Sequence, residues 1–267
     1  MSEKHLFALF YKNLSSYVSG HISGGNGFSI EFRDEDLWHR LTKVLRIRAG
    51  QEIVFFDEHI NTPVVILEQT FTKKNSIFIN VGTIQKNQPL KPNITLMPCI
   101  LKKDAFEDII YASAQMGANK IIPILSDKVQ REWGEKKERE RLFNIMVAAC
   151  EQSKNFFLPE ICEPVKIQDI CKQFVLRSSD SQTSLKIYFD PSGANFVDLL
   201  EKIKSASVNG ANELEISLFF GPEGGLTEQE EKFLLDSGFE TYALTPTILR
   251  AREAVIVGLG GVRSAIF

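Results

Sequence analysis

The chain has 267 residues, 43% hydrophobic and 24% charged, with a formal net charge of −3; this is the composition of an ordinary soluble globular protein long enough for two domains. No apolar run approaches the ~18 residues of a membrane span, and the polar N-terminus lacks a signal-peptide pattern. The four cysteines show no CxxC pairing and the four histidines no HxxxH, so a disulfide scaffold and a structural zinc site are both disfavoured, and a cytoplasmic, metal-free protein with free thiols is expected.

Up to about residue 85 the sequence reads as β-rich. Phe7–Phe10, Phe28–Phe32, Ile53–Asp57, Pro63–Glu68 and Ile77–Val81 are short runs rich in Val, Ile and Phe between turn signals. Asp34–Val44 interrupts them as a helix with Leu37, Leu41, Val44 and Leu45 on one face. Short strands with one helix predict a small β-barrel. Lys86–Pro92, with two prolines, marks the boundary, giving domains at 1–86 and 93–267.

Alternation follows. Ile94–Ile100 is a strand; Asp104 opens a helix with Glu107 at the capping-box position; Lys120–Leu125 is a strand; Lys136–Ser153 is a long helix. Ser178–Ser184 is a short polar loop, Leu185–Phe189 a strand, Asn195–Ser205 a helix and Glu215–Phe220 a strand. Repeated β–α units predict an α/β domain with a parallel sheet covered on both faces.

Phe220-Gly221-Pro222-Glu223-Gly224-Gly225-Leu226-Thr227 is the densest signal. Its glycines let a backbone approach a ligand at the C-terminal end of a buried strand, and Thr227 with Glu230 reads as a capping box. A helix stopped by Gly238 and a strand at Phe239–Leu244 lead to Thr245-Pro246-Thr247-Ile248-Leu249-Arg250 and a tail of small and apolar residues. Two such loops side by side make a cleft with backbone walls. A phosphate cradle fits poorly, since neither GxxxxGK[ST] nor GxGxxG is present. The net charge gives no support to nucleic-acid binding, so any such role needs a local patch. Arg40, Lys43, Arg46 and Arg48 are the best candidate, then Lys102-Lys103; Lys136–Arg141 alternates with glutamates and reads as a solvated helix face.

The GPEGGLTxxE turn followed by Leu244-x-x-x-Ile248-Leu249-Arg250 resembles the bacterial small-subunit ribosomal RNA (uracil-N3)-methyltransferases of the SPOUT superfamily. His39-Arg40-Leu41-Thr42-Lys43-Val44-Leu45-Arg46 with Gly50, Ile100–Asp104, Gly117-Ala118 and Ala148–Ser153 with Pro159-Glu160 also match, over most of the chain. The resemblance implies S-adenosylmethionine (SAM) as cofactor, a uridine of ribosomal RNA or the small ribosomal subunit as partner, a PUA/OB-like barrel, a C-terminal trefoil knot and a homodimer. It places cofactor binding on Phe220, Gly221, Glu223, Gly224, Gly225, Leu244, Thr245, Ile248 and Leu249, RNA contact on His39, Arg40, Lys43, Arg46 and Lys102, and charge stabilisation on Arg250. For Arg250 a helix-end ion pair, and for Glu223 a helix-dipole contact, are the alternatives. The family pattern has a basic residue where Ala105 stands, arginine at Asn155, glycine at Thr245, and Thr-Glu-Thr at Ala251-Arg252-Glu253. The other reading is an RNA- or ribosome-binding homologue without methyltransferase activity.

Overall fold

A computed structural model of the chain describes residues 6–20, 28–129, 131, 133–176, 184–208 and 214–266. The polar loop expected at Ser178–Ser184 lies, apart from Ser184, outside them. The chain divides into two compact units, Met1–Gln88 with Cys150–Phe157, and Pro89–Ala149 with Leu158–Phe267.

The first unit contains β1 (Ala8–Phe10), α1 (Leu14–Ser19), β2 (Phe28–Arg33), α2 (Glu35–His39), β3 (Glu52–Phe56), β4 (Ile60–Ile66), β5 (Ser76–Val81) and β6 (Gln85–Lys86). Its sheet runs β1-β3-β4-β5-β2, with β6 on β4, and only the β1–β3 pairing is parallel. Alternate residues such as Val64 and Ile66, or Ile77, Ile79 and Val81, point inward onto Leu9, Phe32 and Phe55. Asp57 is buried at the β3–β4 turn, accepting from the N–H groups of Ser15, His59 and Ile60 at 2.7–2.9 Å. Burial alone would raise its carboxyl, but these donors outweigh it and hold the group below the usual aspartate range.

The single helix expected over Asp34–Val44 is two pieces. Asp34 caps α2 by accepting from Leu37 N–H, and a π-turn over Arg40–Val44 follows, with Leu45 N–H donating to Arg40 O. The wider turn rotates the apolar stripe. Val44, expected inside, is 62% exposed, and Ile47 is buried instead.

The second unit contains β7 (Asn93–Pro98), α3 (Lys103–Gln115), β8 (Lys120–Ile121), β9 (Ile124–Leu125), α4 (Glu135–Ser153, its end in the first unit), β10 (Glu160–Ile161), β11 (Val165–Lys166), α5 (Ile167–Leu176), β12 (Ser184–Asn195), α6 (Phe196–Val208), β13 (Glu215–Phe220), α7 (Glu228–Asp236), β14 (Glu240–Ala243) and α8 (Ala251–Ala265). Its main sheet is wholly parallel, in the order β10-β8-β7-β13-β12-β14, and β9 pairs β11 separately. The strand expected at Lys120–Leu125 is therefore split at Ile122-Pro123, where proline lacks the ladder donor. Glu107 does not cap α3, which begins one residue before Asp104; it pairs with Arg141 at 2.5 and 2.8 Å. That ion pair, and Arg139 with Glu163, tie down part of the helix face expected to be merely solvated.

Helix α8 packs closely on β13 and on α6 because glycine permits it. A Cβ on Gly258 would sit 2.9 Å from the Phe220 ring, and one on Gly261 2.6 Å from Phe196. Arg263, near the end of α8, is half-buried and donates to the carbonyls of Pro92 and Gly117 and to Asn119 Oδ1. Burial without a carboxylate partner pushes it down to about 10. Cys99, Cys150 and Cys171 are buried free thiols, and Cys162 is half-buried. Among the described residues no helix is long and apolar enough to cross a membrane.

Candidate functional site

Pro98, Phe220 and Phe189 stand in register across β7, β13 and β12, so β7 and β13 end, and the pairing of β12 with β13 stops, at one level. The sequence suggested that the loops after β13 and β14 adjoin. The sheet order inserts β12 between them, and its own turn enters the site. Strand β12 is irregular between Phe189 and Ala194, and there Gly193 presses onto β14; a Cβ would lie 2.4 Å from Tyr242 N.

Above this edge lies a cavity of about 710 Å³, within the range typical of small-molecule sites. Phe220, Gly221, Glu223, Gly225, Leu244, Thr245, Ile248 and Leu249 line it, together with Arg250 and Lys102. Gly224 does not: its Cβ would face the Lys128 side chain at 3.7 Å, because the turn points that position away from the strand ends. Tyr188, Asp190 and Pro191 of the β12 turn, with Ala251 and Ala254 of α8, complete the walls. Sequence reasoning missed these. The Asp190-Pro191-Ser192-Gly193 turn signal was the one available clue.

The glycine turn is held from two sides. Thr227 and Glu230 form the expected capping box on α7, and the other Glu230 oxygen accepts from Asp127 N–H at 2.8 Å. Lys128 Nζ donates to Gly224 O at 3.1 Å and Leu226 O at 3.0 Å. Gly225 takes φ +69°, which a side chain would strain. At Gly221 an added Cβ would meet only Leu226 Cγ, at 3.9 Å, so the backbone there is open to a ligand.

Arg250 is the N-cap residue of α8, exposed; its carbonyl accepts from Ala254 N–H, and among the described residues no hydrogen bond or ion pair engages its guanidinium. Arg252 differs. Its guanidinium contacts Asp108 at 2.8 Å and Glu253 at 2.6 and 2.9 Å, and it does not line the cavity. The hydrogen bonds from Arg252 lower the Glu253 carboxyl below its ordinary range.

The remaining candidates lie in the first unit. His39, Lys43 and Arg46 are exposed around the π-turn, and Lys43 Nζ sits 5.8 Å from the Trp38 ring centre. Arg40 is engaged: it donates to both Glu151 oxygens at 2.7 and 2.9 Å, and Phe10 N–H donates to the same carboxylate. Among the described residues no group of His, Cys, Asp or Glu could hold a metal ion.

Comparison with known proteins gives a consistent set of relatives. The RNA methyltransferase domain family matches residues 87–262. The ribosomal RNA small subunit methyltransferase E of Bacillus subtilis is 26% identical over 227 residues, 84% of this chain and 86% of that protein. Its namesake in Rickettsia conorii is 27% identical over 249 residues, 92% of this chain and 93% of that protein. The crystal structure of the namesake from Neisseria gonorrhoeae, bound to S-adenosyl methionine, superposes with TM-score 0.74 at 20% identity, covering 97% of this chain and 98% of that one.

Proposed function

Because the chain belongs to the RNA methyltransferase domain family, we propose that it is a SAM-dependent methyltransferase acting on N3 of a uridine in small-subunit ribosomal RNA. The observation that carries this reading is the cavity at the C-terminal edge of β7, β13 and β12, where the glycine turn and the Leu244–Arg250 loop supply most of the wall. Its residues suit such a cofactor. Phe220, Leu244, Ile248 and Leu249 offer apolar surface to an adenine, Gly221 offers backbone without a side chain, and Asp190 and Glu223 offer carboxylates to a cationic ligand.

When bound, SAM supplies an electrophilic methyl group on a sulfonium. The protein must orient the base toward it, exclude water and stabilise the negative charge left on the imide as its proton departs. Arg250, at the cavity wall and with its guanidinium unpaired among the described residues, has the charge for the last task.

The exposed basic residues of the π-turn segment support a reading in which the first unit, taken as a PUA/OB-like barrel, docks RNA. The segment Leu244–Ala265 is read as the knotted part of a SPOUT fold. A homodimer accounts for Ile248, 83% exposed, with Ile256 and Val257 partly exposed on α8.

Calorimetric titration with SAM tests the cofactor site. Gly221→Val should abolish binding in a protein that still folds, since position 221 does not need a left-handed backbone. Unchanged affinity in that variant would remove the cofactor from this cavity. Mapping modified bases in ribosomal RNA from cells with and without the gene tests the substrate.

A further inference from the structure

Among the residues that line the cavity, Asp190 is held in an unusual way. One of its carboxylate oxygens, Oδ1, accepts from Ser192 N–H at 2.9 Å and Ser192 Oγ at 2.6 Å, and Oδ2 accepts from Tyr188 Oη at 3.3 Å. Tyr188 is buried, packed edge-on against Phe219, and itself lines the cavity. The carboxylate is thus fixed by its own turn and by the floor below it, while Oδ2 keeps acceptor capacity beyond one long bond. Glu223, the other acid of the wall, is exposed to solvent and so is more strongly screened. The cations of the wall are Lys102 and Arg250.

We propose that Asp190 makes this cavity discriminate between the methylated cofactor and its demethylated product. The inference rests on SAM occupying the cavity as argued above. Loss of the methyl group turns a sulfonium cation into a neutral thioether and leaves the amino, carboxylate, ribose and adenine groups as they were. Contacts to those unchanged groups therefore hold both forms about equally. The two forms differ in one methyl group and one positive charge, and a carboxylate fixed in a partly desolvated wall reads that charge better than a mobile one in water. Lys102 and Arg250 act in the opposite sense on a sulfonium, so Asp190 also offsets them. The consequence for turnover is that the ligand loses affinity at the moment it has reacted, which favours product exchange.

The test is calorimetry of the full-length wild type, Asp190→Asn and Asp190→Glu, each titrated with SAM and with S-adenosylhomocysteine. Asparagine keeps the shape and an acceptor for Ser192 but removes the charge. We expect Asp190→Asn to weaken SAM binding about tenfold and to leave S-adenosylhomocysteine within about twofold, with Asp190→Glu retaining most of the wild-type preference. A parallel loss for both ligands overturns the proposal, since Asp190 would then be a contact common to both, or a support for the turn. No change for either overturns it as well. A wild type that binds neither ligand, or a Gly221→Val variant that binds both normally, instead sinks the placement of the cofactor and takes this inference with it.

Discussion

Two arginines stand two residues apart at the start of α8, and their surroundings separate them. Arg252 is committed to Asp108 and Glu253, whereas Arg250 reaches the cavity and is held by neither acid. A developing negative charge on a substrate is best met by a donor that does not first have to leave a partner. Arg250→Ala should therefore slow methyl transfer by ~10²–10³-fold with cofactor affinity spared, as expected for loss of one preorganised donor. Arg252→Ala breaks exposed ion pairs, which contribute little, and should leave the rate within about threefold. Single-turnover kinetics at saturating SAM decide between them. If the larger loss falls on Arg252, the roles assigned to the two side chains are reversed.

At the scale of the element, the glycine turn depends on a residue far from it in sequence. Lys128, in the segment between β9 and α4, bonds two carbonyls of the turn, and Glu230 joins the same segment from the other side. With Lys128 replaced by methionine, Gly224 O and Leu226 O lose their donor and the turn loses one of its two supports. SAM should then bind about threefold to tenfold more weakly, with Lys128→Arg recovering most of the affinity. Equal affinity in Lys128→Met would mean that the capping box and Glu230 hold the turn unaided. The capping box itself was legible because its reciprocal bonds join residues three apart. So was the family, read from motifs that are local strings and borne out by the RNA methyltransferase domain match over residues 87–262. Other features were not legible, because they depend on partners distant in sequence. Glu107 had the right spacing for a cap but meets Arg141 instead. The π-turn that exposes Val44 leaves no periodic trace in five residues. The entry of Asp190 into the site follows from β12 lying between β13 and β14, which no local pattern announces.

At the scale of the whole molecule, a net charge of −3 sets a condition on any RNA partner. Neutralised phosphates supply much of the affinity for nucleic acid, so an acidic protein must concentrate its cations on one face. The sequence offered Arg40, Lys43 and Arg46 as one patch. The structure divides it, because Arg40 is held by both oxygens of Glu151, a residue 111 positions away, while Lys43 and Arg46 project into solvent. The two groups should fail differently. Replacing Lys43 and Arg46 with alanine removes free charges and should flatten the dependence of log affinity on log salt by ~0.7–0.9 for each phosphate no longer neutralised, with the fold unaffected. Replacing Arg40 leaves the half-buried Glu151 carboxylate, which also receives Phe10 N–H, without its counter-charge. Its cost should appear in thermal stability, with little change in salt slope. Binding of ribosomal RNA fragments measured across a salt series, alongside melting curves for each variant, separates the two effects. A reduced slope in Arg40→Ala at unchanged stability would return Arg40 to the binding face, and a wild-type slope in the double variant would leave Lys43 and Arg46 as ordinary solvated side chains.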